Sequence, residues 1–198
     1  RTYFAEDGYK PGVSLVWGVL RGSKTVIDEA ARRKSIFYYV DHAYFNRGHG
    51  KTYRITRDRF EAGPVRDCPD DRLKALGVEV APWQPEGRFI VVCPPTAHFL
   101  AAHGCHDWLK TTMETLRQHT DREIIIREKP LDGQLSPLAQ ALLGAHALVT
   151  HSSNVAVEAA VLGTPVFVSE TSAAWPVGLS DLSRIETPVR PDRDKWLA

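Results

Sequence analysis

A chain of 198 residues is long enough to bury a real core, as one domain or as two small ones. With 43% hydrophobic and 25% charged residues it is neither a low-complexity nor a fibrous chain, and a net charge of +1 gives no global electrostatic case for nucleic acid. No run approaches the ~20 apolar residues of a membrane-spanning helix, so no membrane partner is expected.

Three scattered cysteines, Cys68, Cys93 and Cys105, argue against a disulfide framework and for a reducing, cytoplasmic setting. Nothing reads as a signal peptide, and the start at Arg1 rather than Met leads us to expect a short preceding piece. The charge is uneven along the chain. From Arg21 to Asp67, eleven Lys or Arg stand against six Asp or Glu, a local excess of five in a chain of net charge +1. Such a stretch is either a solvated face or a polyanion-facing surface.

In chain order, "VSLVWGVL" (13–20) is a continuous apolar run of the kind a buried parallel strand shows. "SKTVIDEAARRK" (23–34) predicts a helix with Val26, Ile27, Ala30 and Ala31 on one face. "SIFYYVD" (35–41), aromatic and β-branched, predicts a second strand and closes a βαβ pattern at Asp41. "KTYRITRDRF" (51–60) reads either as a further strand or as the arm of a hairpin. From Gly63 to Gly87 the chain thins into Pro, Asp and Gly, which reads as loop or linker. A boundary placed here gives an N-terminal lobe, 1–85, and a C-terminal lobe, 86–198.

The second lobe alternates throughout. "RFIVVCPP" (88–95) is a strand stopped by two prolines, and 106–120 a helix carrying Trp108, Leu109, Thr112, Met113 and Leu116 at helical spacing. A strand at 122–129, a short helix at 135–145, a strand at 146–153, a helix at 154–163 and a strand at 165–170 follow. Short connections between parallel strands imply right-handed crossovers. The fold class expected is therefore α/β, two small Rossmann-like lobes with parallel sheets. The tail from Thr171 reads as a strap ending in a short helix.

Ligands of open α/β sheets bind at the carboxyl ends of the strands. Three such ends bring Thr96 and His98, Arg127 and Lys129, and His151, Ser152 and Ser153 toward one edge, where Asn154 opens a helix. Cations, hydroxyls and a helix start together suit a diphosphate. Glu158, inside the Ala- and Val-rich helix that follows, is a candidate for a sugar or ribose hydroxyl. The plainer alternatives are that one of Ser152, Ser153 and Asn154 is simply an N-cap, that Arg127 and Lys129 are exposed charges, and that Glu158 faces solvent. His98, His103, Cys105 and His106 match no dependable zinc spacing and no carboxylate cluster suits Mg²⁺, so no metal is assigned.

"HSSNVAVEAAVLGTPVFVSE" resembles the donor-binding half of GT-B type glycosyltransferases and the related sugar-nucleotide epimerases, and the Arg127–Lys129 pair is similar to the residues that hold their donor diphosphate. "FYYVDHAYFNRG", "YRITR", "CPPTAHF", "VTHSSNVAVEA" and "SAAWPVGLSDLSRIETP" resemble compact glycosyltransferase-like proteins of bacteriophages and bacteria over nearly the whole chain. The resemblance implies a GT-B-like fold with a C-terminal donor lobe, and metal-independent transfer of a sugar from a nucleotide sugar, a UDP-sugar, to a hydroxyl acceptor, with no resident cofactor. It implies hydroxymethylated pyrimidines in DNA as one acceptor, and the cytoplasm of a bacterium or phage-infected cell as the setting.

In that scheme Asp41 is the expected base, with His42 as runner-up. Tyr44, Phe45, Asn46 and Arg47, with Arg54 on the next segment, form the acceptor side. A strand end followed by a structural turn is the plainer alternative for "DHAYFNRG". The chain is about half the usual GT-B length, which raises the question of a second subunit in a homo-oligomer. The alternatives are a non-catalytic nucleotide or nucleic-acid binding module and an epimerase, the latter disfavoured by the scarcity of carboxylates.

Overall fold

The structure is a computed structural model that describes residues 9–20, 22–48, 50–61, 65–129 and 137–198. Its strands and helices form two compact units, Arg1–Gly63 and Pro64–Ala198. The division falls at the start of the Pro- and Gly-rich stretch, not near residue 85. Residues 81–84 belong to the second unit because they pair with it: Ala81 N donates to Val161 O (2.9 Å) and Gln84 N to Gly163 O (2.7 Å). Gly163 has φ +85°, and a Cβ there would lie 2.0 Å from Pro82 O, so only glycine lets this segment pass.

The first unit runs β1 (Ser14–Trp17), α1 (Ser23–Arg32), β2 (Phe37–His42) and β3 (Tyr53–Arg57). β1 and β2 are parallel, as a βαβ pattern requires, whereas β3 pairs antiparallel with β2. The segment 51–60 is thus the hairpin arm, and this sheet is mixed rather than parallel. Helix α1 buries Ser23, Val26, Ile27 and Ala30, the i, i+3, i+4, i+7 set, against Val16, Phe37 and Tyr39. Ala31, expected on that face, is exposed, since it falls one position beyond the stripe. β1 is not a strand buried on both faces. Val16 points to the core while Val13, Leu15 and Trp17 are 66%, 70% and 50% exposed.

The second unit runs α2 (Asp71–Ala75), β4 (Phe89–Cys93), α3 (Ala97–His103), α4 (Trp108–His119), β5 (Glu123–Ile126), α5 (Leu138–Ala141), β6 (Ala145–Thr150), α6 (Val155–Val161), β7 (Val166–Phe167) and α7 (Asp194–Leu197). Helix α2 falls where the sequence reading placed loop or linker, and α3 in the stretch between 95 and 106 that it left unassigned. Leu135 and Ser136 of the expected helix at 135–145 lie outside the described residues. All four strands are parallel, in the order β5-β4-β6-β7.

Every residue of β6 is buried, and from β4 Ile90, Val91, Val92 and Cys93 are. This explains why both strands read as unbroken apolar runs. Trp108, Leu109, Thr112, Met113 and Leu116 of α4 face the core as their spacing predicts. In α6, Ala156, Ala159 and Ala160 are fully buried, small enough to let the helix lie close to the sheet.

The tail is the expected strap. The guanidinium of Arg193, lying 4.1 Å from the Trp83 ring, donates to Ala81 O (2.6 Å) and to Ala160 O at the end of α6. Trp83 Nε1 donates to Pro191 O (2.8 Å) and Trp196 Nε1 to Ala173 O (2.8 Å). Among the described residues no helix is long and apolar enough to cross a membrane.

Candidate functional site

In the parallel sheet the chain moves from β4 outward to β5, then crosses back over β4 to β6. The strand order therefore reverses between β4 and β6, and the crevice outside their carboxyl ends is where an open α/β sheet takes its ligand. The two strand ends are tied together by a buried hydrogen bond from Thr150 Oγ1 to Cys93 O (2.7 Å). This fixes what each loop presents.

From β6 comes His151, half-buried, with Nδ1 3.2 Å from Ser152 Oγ and 3.3 Å from Ser169 Oγ. Ser169 is brought there by the extension of β7, whose Ser169 N donates to His151 O (2.8 Å). From β4 comes α3, which sets Phe99 edge-on to His151 (5.2 Å between centroids) and stacks His103 on Phe99 (4.1 Å). Burial, aided by the nearby His103, lowers the pKa of His151, favouring the neutral imidazole. If Nδ1 accepts from one of these hydroxyls, the neutral imidazole carries its proton on Nε2 and can donate from there.

From β5 comes Arg127. Its backbone N–H donates to Val92 O (2.8 Å), extending the β4–β5 ladder past its last paired residues, and its guanidinium lies beside the Cys93 thiol. Burial pushes that thiol up to about 11, against the opposing pull of Arg127. A cation therefore stands at the end of β4, next to the crevice. Lys129, two residues further on, is exposed.

The remaining expected donor residues have more local tasks. Thr96 is the N-cap of α3, its hydroxyl accepting from Phe99 N (3.4 Å), and His98 is exposed in the first turn. Ser153 Oγ accepts from Val155 N (3.5 Å), so the capping alternative applies to Ser153, while Asn154 sits at the N-cap position without a side-chain cap bond. Helix α6 has only seven residues, so side chains rather than its dipole must do most of any anion holding. Glu158 is half-buried on that helix. Phe99, His103 and Ser169 are the participants the sequence reading missed. Among the described residues no group of three His, Cys, Asp or Glu could hold a metal ion.

In the first unit Asp41 and His42, neighbours in sequence, point to opposite faces of the sheet because side chains alternate along β2. They cannot serve one site together. Asp41 lies on the α1 side, where Oδ2 accepts from Tyr39 OH (2.8 Å) and Arg54 Nη2 (3.3 Å) and Oδ1 from His42 N (2.7 Å). Arg54 also pairs with Glu61 (2.9 Å) and lies 4.7 Å from the centre of the Tyr44 ring, whose hydroxyl donates to Glu61 (2.5 Å). Tyr39, Asp41, Tyr44, Arg54 and Glu61 thus form one largely buried network. Burial raises the Glu61 pKa, opposed by Arg54. Glu61 had no signal beyond being one carboxylate in a mixed stretch.

His42 lies on the other face with Trp17 (5.4 Å) and Tyr53 (5.7 Å). Phe45, Asn46 and Arg47 sit in the β2–β3 hairpin loop, which is held by Thr52 Oγ1 donating to Phe45 O (2.9 Å) and Asn46 O (2.8 Å). Asn46 adopts φ 48°, a conformation Asn tolerates better than most residues.

The class these observations define is a mixed α/β protein with a parallel four-stranded sheet and a polar switch-point crevice. Comparison adds no family to that description: no family model matches the chain, and neither does any curated protein.

Proposed function

We propose that the chain is a glycosyltransferase that holds the diphosphate of a nucleotide-sugar donor in the crevice between β4 and β6. The observation that carries this reading is the meeting of His151, Ser152 and Ser169 at the switch point, with Arg127 at the adjoining strand end. Hydroxyls and a neutral imidazole donate to phosphate oxygens, and a guanidinium offsets the charge that grows as the diphosphate leaves. In the step itself, the acceptor oxygen bonds to the anomeric carbon as the carbon–phosphate-oxygen bond breaks. The electron pair leaves with the nucleoside diphosphate, and the acceptor proton passes to a base.

Asp41 is the base this reading assigns, with its Tyr39 and Arg54 partners fixing its orientation. The acceptor, a hydroxymethylpyrimidine in DNA, rests on the sequence resemblance alone. The test is to incubate the protein with UDP-sugars and DNA containing 5-hydroxymethylcytosine or 5-hydroxymethyluracil, digest to nucleosides and weigh them. A gain of one hexose supports both donor and acceptor. Release of UDP without that gain keeps the transferase and removes the DNA. No turnover of any donor overturns the catalytic reading.

One observation favours a second reading, a nucleotide-binding module without turnover. Both Asp41 oxygens already accept hydrogen bonds within the protein, from Tyr39, Arg54 and the His42 N–H, so the carboxylate is occupied where an acceptor hydroxyl would have to approach. Nucleotide binding without turnover, unchanged in Asp41→Asn, is the outcome that selects it.

A further inference from the structure

Among the described residues, the sheet of the first unit has one face packed on α1 and no helix of that unit on the other. On that face lie Val13, just before β1, and Leu15 and Trp17 of β1, with Tyr38, Val40 and His42 of β2 and Tyr53, Ile55 and Arg57 of β3. The strand register aligns them into rows: Leu15–Tyr38–Arg57, then Trp17–Val40–Ile55, then His42–Tyr53. Ile55 is 65% exposed and Tyr53 41%, matching the exposure of the β1 side chains. A strand pair joined by a parallel crossover ordinarily has both faces covered, and a contiguous apolar patch of this size marks an interaction site.

We propose that this face is a homodimer interface, occupied by the same face of a second copy. Two observations select that occupant. The first is area. The exposed parts of these side chains amount to roughly 600 Å² per copy, or about 1,200 Å² in a twofold pair, which meets the lower bound for stable specific interfaces. A three-stranded sheet is also a shape that packs on its own copy, face to face at about 10 Å, and a twofold axis lets each apolar row meet an apolar row.

The second is charge. Arg57 is the one cation among the nine residues of this face, it sits at a corner, and it is held by Asp58 at 3.2 Å. Among the described residues of this unit, the other cations in ion pairs lie on the opposite side: Lys24 and Arg32 of α1 and Arg33 just after it pair with Asp28 and Glu29, and Arg54 pairs with Asp41 and Glu61. A polyanion would need cations among the aromatics; an apolar partner needs none. The inference is independent of the crevice and of its ligand.

The test is the mass of the full chain in solution, by sedimentation equilibrium from low micromolar to submillimolar concentration, for wild type, Ile55→Lys, Leu15→Lys and the control Ala31→Lys. Ile55 and Leu15 take no part in the core, so both variants should fold, which circular dichroism and an unchanged melting temperature verify. The expected result is a dimer in wild type and in Ala31→Lys, with dissociation made at least about tenfold easier by each face variant. Three results overturn the proposal: a monomer at every concentration, a dimer untouched by both face variants, or a monomer whose bare face instead binds a single-stranded oligonucleotide in an Ile55-dependent way.

Discussion

The two sheets start from the same βαβ logic and end differently. In the second unit β4 and β6 lie inside a four-stranded parallel sheet, and Ile90, Val92, Leu148 and Val149 are at most 2% exposed. In the first unit β1 and β3 flank a single central strand, and each shows solvent one row of large apolar side chains. A sequence as apolar as "VSLVW" does not by itself say that both faces are covered; the layers around it decide. The buried sheet carries a polar crevice at its strand ends, whereas the half-covered one carries a polar network beneath it and an apolar face above.

The difference can be broken first at its most buried point. Leu148→Ala removes a fully buried side chain from β6, with neighbours too constrained to collapse, and should cost about 4 kcal/mol in denaturant unfolding. A cost near that of a surface change would mean that the second unit is not built around β6. Next, Arg54→Met takes the cation from two carboxylates beneath the other sheet, one of them, Glu61, mostly buried, and should cost about 3 kcal/mol. The double variant Arg54→Met/Glu61→Gln should recover part of that loss if the penalty is an unpaired charge.

A smaller effect separates the units by pH. His146 is 3% exposed, bonded through Nε2 to Ile185 O (3.1 Å), and burial with nearby Arg122 lowers its pKa. The folded state then binds this proton less readily than the unfolded chain. Its contribution is fully present above the unfolded value of about 6.5 and is lost as pH falls toward the folded one. The stability of the second unit should decline below that pH, and His146→Gln should flatten the decline. Smallest of all, Ile55→Ser should change the stability of dilute, monomeric protein by less than about 0.5 kcal/mol, because its side chain is already in water.

Much of this architecture could be read from the residues. Periodicity located the βαβ pattern and the alternation of the second lobe, since unbroken apolar runs and helical spacing report burial directly. Helix α2 escaped because its Pro- and Asp-rich flanks read as loop, and α3 because a seven-residue helix has little room to display a period. Strand ends pointed to His151, Ser152 and Arg127 because parallel topology dictates where strands finish. Ser169 and Phe99 escaped because their part depends on a tertiary meeting of β7 and α3 with β6, which no local pattern records. Asp41 and its runner-up His42 turn out to be alternatives on opposite faces of the sheet, because consecutive residues of a strand face opposite ways.

The claim on which the account turns is that the crevice between β4 and β6 grips a diphosphate. Calorimetric titration with UDP tests it most directly, on wild type and on the Arg127→Ala and His151→Ala variants. Saturable binding, weakened about tenfold or more by each substitution, is the result the account predicts. No binding, or binding that both variants leave unchanged, would contradict it.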